Sequence, residues 1–198
     1  MKRLDLFATP VFVHDLEGFE EANEVMRDYV AVMRERDCGL SRSNVHGWHS
    51  SSSELGTAPA FAKLRDAIVA RTKASLQSIG YVGLGLVMTN MWVVVRPPGA
   101  STTLHDHPRS FTSGVYYLQA PRGSSPLVFR DPRSTRLFNE PGGQDQRHPH
   151  ITQRFAVPAQ EGRLVLFPAW LEHFVPVNET EIERIAVSFN FAILNAPP

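Results

Sequence analysis

A chain of 198 residues with 42% hydrophobic content, and with 20 basic residues against 20 acidic ones, has room for one well-buried core and carries no net charge at neutral pH. That balance excludes the electrostatic footprint by which proteins hold nucleic acid or an anionic membrane surface. The single cysteine, Cys38, can form no internal disulfide, and Asp5 and Pro10 break any apolar run behind Met1-Lys2-Arg3, so the expectation is a cytoplasmic, single-domain protein without a membrane span.

The first eighty residues read as helical. From Glu17 to about Asp37, Phe19, Ala22, Met26, Tyr29, Val30 and Met33 recur at three- and four-residue spacing and make one apolar stripe. Phe61, Leu64, Ile68 and Leu76 do the same from Pro59 to about Ile79. Between them, Ser41 to Ser53 is Ser-rich and carries His46, Trp48 and His49; it reads as a loop whose histidines either line a substrate mouth or face solvent. After Gly80-Tyr81 the texture changes to short apolar, β-branched runs: Leu84 to Arg96, Ser113 to Gln119, Pro126 to Arg130, Gly162 to Phe167 and Ile182 to Ile193. Turn signals such as Pro97-Pro98-Gly99 and Pro121-Arg122-Gly123 separate them. The polar stretch 139–154 reads as a surface loop or lid. Helices first and many strands afterwards predict a mainly β fold with flanking helices: a double-stranded β-helix, or jelly-roll, barrel over 81–198, with the N-terminal helical segment, residues 1–80, packed on one sheet.

The chemistry concentrates in histidines. In Leu104-His105-Asp106-His107-Pro108, an extended strand turns residues i and i+2 to one face, so His105 and His107 can aim two imidazoles at one point while Asp106 points away. Imidazole suits Fe, Zn, Cu and Ni alike, so the pair by itself names no metal. A third histidine, His173, follows a strand and a turn in Gly162-Arg-Leu-Val-Leu-Phe-Pro168-Ala-Trp170-Leu-Glu-His173. Two ligands from one strand and a third from much later in sequence form a facial triad with open coordination positions. His148-Pro149-His150 repeats the spacing within a polar loop and reads as surface, and His14 reads as structural.

Four blocks in this order carry a resemblance: His105-Asp-His107-Pro108, Ser113-Gly-Val-Tyr-Tyr-Leu118, Leu166-Phe-Pro-Ala-Trp-Leu-Glu-His173 and Arg184-Ile-Ala-Val-Ser-Phe-Asn190. Together with Leu6-Phe-Ala-Thr-Pro-Val-Phe12 they resemble the 2-oxoglutarate- and Fe(II)-dependent oxygenases, in particular a group of small bacterial and phage members. The resemblance implies Fe(II) on His105, His107 and His173, with 2-oxoglutarate as cosubstrate. It also implies oxidative decarboxylation to succinate and CO2, coupled to hydroxylation of a small-molecule or peptidyl substrate. The cosubstrate's far carboxylate falls to Arg184, eleven positions after His173, with Tyr117 and Ser188 beside it. A guanidinium is the best bidentate partner for that group. Two features depart from the wider superfamily. His107 stands where Asp or Glu is usual, which leaves the centre one unit more positive, and Ala186 stands where relatives carry Ser or Thr.

Trp92, Arg109 and Arg130 are candidate substrate contacts, and exposed barrel edges allow a homodimer. The same histidine spacing also fits a cupin, some of which are three-histidine iron dioxygenases that use no oxoacid. The cupin's glutamate is missing after His107, and a cupin has no need of Arg184. A metal-free binding module is the third alternative.

Overall fold

A computed structural model describes residues 2, 4, 6–133 and 151–194. Helix α1 (Glu20–Arg36) buries Met26, Val30 and Met33 along one stripe. Glu20 and Glu21 in its first turn and Arg34 and Arg36 in its last oppose the helix dipole favourably. Pro59, whose fixed φ suits a helix start, opens a 3₁₀ turn (Pro59–Phe61) that leads into a second long helix (Ala62–Ser78). A one-turn helix, α2 (Ser52–Leu55), precedes it, so the long one is α3.

The strands are β1 (Phe12–Asp15), β2 (Asn44–Val45), β3 (Trp48–His49), β4 (Leu86–Arg96), β5 (Ser101–His105), β6 (Thr112–Gln119), β7 (Leu127–Arg130), β8 (Arg154–Val157), β9 (Arg163–Pro168), β10 (His173–Val175) and β11 (Arg184–Ile193). They form two antiparallel sheets, ordered β1-β9-β6-β11-β4-β3 and β2-β5-β10-β7-β8, in the jelly-roll arrangement the alternating texture predicts. The Ser-rich segment read as a loop contributes one two-residue strand to each sheet. Its turn passes through His46 at φ 56° and Gly47, where an added Cβ would lie 2.9 Å from the Val95 carbonyl oxygen. Such brief strands carry no periodic signal, and only pairing with β4 and β5 makes them visible.

Period-two alternation divides the core in two. Tyr116 and Leu118 of β6, Leu164 and Leu166 of β9 and Ile185, Val187 and Phe189 of β11 face α1 and α3 in one buried cluster. Their neighbours Val115, Tyr117, Val165, Phe167 and Ala186 face the second sheet, where they meet Leu127, Phe129 and Val175. The helices thus cover the outer face of the six-stranded sheet, and its inner face is left to build a site. Gly114 is opposed to Phe189 in the β6–β11 register. An added Cβ there would overlap the Phe189 ring and approach the Val165 carbonyl oxygen to 2.8 Å. Gly114→Ala should therefore cost about 1–3 kcal/mol of stability by overpacking, read as a lowered denaturant midpoint.

Candidate metal centre

His105 ends β5 and His173 opens β10, and the two are directly paired across the strands. Cross-strand neighbours on one face sit close enough for their rings to touch; these centroids are 4.3 Å apart. His107 lies two residues beyond His105, held by its backbone N–H donating to the Ala169 carbonyl at 2.9 Å. Its ring centroid is 5.2 Å from that of His105 and 5.1 Å from that of His173. Ligating nitrogens from all three fall within 4.8 Å of one another. Asp106 is exposed and outside this group, just past the end of β5 at His105.

Backbone carbonyls set two of the tautomers. His105 Nδ1 donates to the Thr103 carbonyl at 2.8 Å, and His173 Nδ1 to the Leu171 carbonyl at 2.8 Å. Each Nδ1 therefore carries the proton, and each Nε2 presents a lone pair to the cluster. Nε2 of His107 and Nε2 of His173 are 3.3 Å apart, a separation at which two lone pairs repel unless a proton or cation stands between them. Burial, the largest cause in each case, lowers the His105 pKa and pushes those of His107 and His173 down to about 4 and about 3. All three are neutral at physiological pH, the state a metal ligand needs. The donor set fits a divalent transition ion.

Because the folded imidazoles resist protonation while the unfolded ones take it up near 6.5, their contribution is complete above that pH and is lost as pH falls through the window below it. The metal-free protein should lose stability from about pH 6.5 towards 3, with His173 contributing a slope of up to about 1.4 kcal/mol per pH unit. Thermal melts of His173→Gln should be flatter than those of the parent over that range.

A cavity of about 510 Å³ surrounds the cluster. Both sheets line it: Trp92 and Arg96 of β4 and Arg184 and Ser188 of β11 from the six-stranded sheet, and Thr102, Leu127 and Val175 from the five-stranded one. Arg184 is only 1% exposed, yet among the described residues its Nε and Nη1 have no hydrogen-bond partner, and neither has the hydroxyl of Tyr117. The Tyr117 ring lies 4.7 Å from the guanidinium carbon. Burial lowers the Arg184 pKa from its ordinary value, and Tyr117 beside it works in the opposite direction. Buried polar groups are nearly always paired, so three orphaned donors at one spot fit an anion with at least two acceptor oxygens. Ala186, opposed to Tyr117 across β11 and β6, belongs to the interior cluster and offers no hydroxyl.

The other candidates separate. Trp92 lines the cavity with its ring 5.8 Å from that of His107, and His49 stacks on Trp92 at 5.7 Å. Arg109 is exposed at φ 67° and Arg130 pairs with Glu172 at 3.3 Å; neither lines the cavity. His46 is exposed, and His14 Nε2 bonds Ser75 Oγ at 2.9 Å away from the site. His148, His150 and most of the 139–154 stretch lie outside the described residues; its last residue, Arg154, begins β8. Sequence reasoning missed Arg96, which lines the cavity and whose Nε and Nη2 donate to Thr102 Oγ1 at 2.8 and 2.5 Å. Counting by twos from Trp92 would have found it.

Residues 90–190 match a family model described as a 2OG-Fe(II) oxygenase. No curated protein sequence matches the chain. Among solved structures, it is similar to a prolyl-4-hydroxylase from Pseudomonas putida at TM-score 0.66 and 15% identity, covering 96% of each chain. HygX from Streptomyces hygroscopicus, solved with nickel and 2-oxoglutarate, is similar at TM-score 0.61 and 15% identity over 93% of this chain and 83% of that one. A prolyl hydroxylase from Trichoplax adhaerens, in complex with a hypoxia-inducible-factor oxygen degradation domain peptide fragment, is similar at TM-score 0.63 and 12% identity, over 94% and 85%. At such identities these likenesses establish the shared fold.

Proposed function

Since the chain belongs to the 2OG-Fe(II) oxygenases, with Fe(II) and 2-oxoglutarate as cofactor and cosubstrate, we propose that His105, His107 and His173 hold the iron and that Arg184, Tyr117 and Ser188 hold the far carboxylate of 2-oxoglutarate. The observation that carries the assignment is the pair of buried donors unpartnered among the described residues, the cavity-lining Arg184 guanidinium and the hydroxyl of Tyr117 beside it. A buried cation without a counter-ion is costly by itself, and a carboxylate accepting from Arg184 and Tyr117 offsets that cost. The metal, when bound with the oxoacid and O2, supplies the oxidising chemistry. The protein's own work is to orient the cosubstrate between histidines and arginine and to keep water from the reacting centre. Neutral Nε2 atoms are supplied by the Thr103 and Leu171 carbonyls, which hold the protons of His105 and His173 on the far nitrogens. A cupin-type oxygenase without an oxoacid would leave Arg184 and Tyr117 unpartnered.

The substrate we propose is a small molecule or a peptidyl side chain, entering past Trp92 and His49. Structures with this fold have been solved with hygromycin B in one case and a peptide fragment in another. No helix among the described residues is long and apolar enough to cross a membrane. The exposed thiol of Cys38, unpaired in any disulfide, is in keeping with the cytoplasmic location we assign. Anaerobic addition of Fe(II) and 2-oxoglutarate should produce the weak visible charge-transfer band of the chelate, followed on aeration by succinate. Absence of both would defeat the assignment.

A further inference from the structure

The inward face of the six-stranded sheet presents two guanidiniums where the cosubstrate site calls for one. Arg96 ends β4 and Arg184 opens β11, and these positions are directly opposed in the β4–β11 register. Both side chains line the same cavity and are buried, at 6% and 1% exposure. Arg96 Nε and Nη2 donate to a single neutral acceptor, Thr102 Oγ1. Among the described residues no carboxylate forms an ion pair with either arginine. The one acidic side chain lining the cavity among the described residues, Asp106, is exposed and lies next to the metal ligands in sequence.

Two like charges taken out of water side by side pay for desolvation and repulsion together. Burial first, and Arg184 second, push the Arg96 pKa well below its ordinary value. Such a pair becomes stable when an anion offsets it.

We propose that Arg96 is a second binding residue for the far carboxylate of 2-oxoglutarate, which seats between the Arg96 and Arg184 guanidiniums and the Tyr117 hydroxyl. The inference rests on the cosubstrate assignment above. A carboxylate has two oxygens and about four lone-pair sites, enough to accept from both arginines and the tyrosine. Two cations on the floor select a dicarboxylic oxoacid over a monocarboxylic one more strongly than one arginine does. They also supply an anion-holding charge at the opposite end of the cosubstrate from the three neutral histidines.

The test is calorimetric titration of the full chain, loaded with Ni(II) so that it does not turn over. The two ligands are 2-oxoglutarate and 2-oxopentanoate, which keeps the metal-facing end and lacks the far carboxylate. Arg96→Met should weaken 2-oxoglutarate by about tenfold or more while changing 2-oxopentanoate by less than about twofold. Thr102→Val removes the side-chain acceptor that Arg96 has among the described residues without touching its charge, and should weaken 2-oxoglutarate by about threefold. Unchanged 2-oxoglutarate affinity in Arg96→Met overturns the inference, and so does a parallel loss of both ligands. Should Arg96→Met fail to fold, unchanged affinity in Thr102→Val overturns it instead. A loss in Arg184→Met without one in Arg96→Met removes this inference alone. No preference for 2-oxoglutarate in the parent, with no effect of Arg184→Met, removes the cosubstrate assignment as well.

Discussion

His173→Ala should lose tight binding of divalent metal by at least about a hundredfold, on the scale set by roughly 3 kcal/mol per ligand in protein metal sites. Metal content after dialysis and calorimetric titration with Fe(II) under anaerobic conditions both report it. The expectation follows from placement: the ring is 4% exposed and its Nε2 is 3.3 Å from that of His107, with no other histidine or acidic side chain among the described residues completing the cluster. The same ring packs on Phe167 and Phe129, at 4.6 and 6.1 Å between centroids. Truncation therefore leaves an interior void and should also lower the stability of the metal-free protein by about 1–3 kcal/mol. Loss of metal must thus be measured at a temperature well below the variant's own midpoint. Asp106→Ala is the matched comparison. Its carboxylate lies outside the histidine group, so its metal affinity should stay within about threefold of the parent, less than 1 kcal/mol. Retained binding in His173→Ala, or lost binding in Asp106→Ala, would overturn the three-histidine assignment.

Arg184→Met should spare metal binding and weaken 2-oxoglutarate by roughly 10²- to 10³-fold, the range expected when one partner of a buried charge-assisted pair is removed. The perturbation of the charge-transfer band by added oxoacid measures it without any need for a substrate. The same substitution carries a second, opposite expectation. In the unliganded protein Arg184 is a buried cation without a carboxylate partner among the described residues, and a hydrophobic side chain of similar length escapes that desolvation cost. Unliganded Arg184→Met should therefore melt no lower than the parent, while the stabilisation that 2-oxoglutarate gives the parent disappears. A site residue retained for binding shows this exchange of stability for function. A residue retained for packing would show the reverse, with a lower melting point and unchanged oxoacid affinity.

The candidate site is partly legible in the sequence. His105 and His107 stand out as candidates because an extended H-x-H pair turns both side chains to one face; β5 ends at His105, and the His107 backbone N–H on the Ala169 carbonyl holds the second ring at the cluster. Arg184 is a candidate through the resemblance, eleven positions after His173, and its place at the start of the apolar strand of Ile185, Val187 and Phe189 favours a site over a surface ion pair. Arg109 and Arg130 were equally visible as arginines near motifs, but one is exposed and the other pairs with Glu172. Nothing local distinguishes a solvated arginine from a lining one. Arg96 shows the converse, since its strand reads as a plain apolar run ended by Pro97-Pro98, and its role comes from the strand beside it.

What the amino-acid order gave alone was the class of fold and three candidate imidazoles, because alternation and helical spacing are local properties of the backbone; the role proposed for Arg184 came with the family resemblance. What only the tertiary structure decided was company: that His173 pairs across strands with His105, that β2 and β3 join different sheets, and that two arginines share one cavity with no counter-ion among the described residues. These depend on which strands become neighbours, and that choice is made by burial of whole faces against one another, over separations that no window of sequence spans.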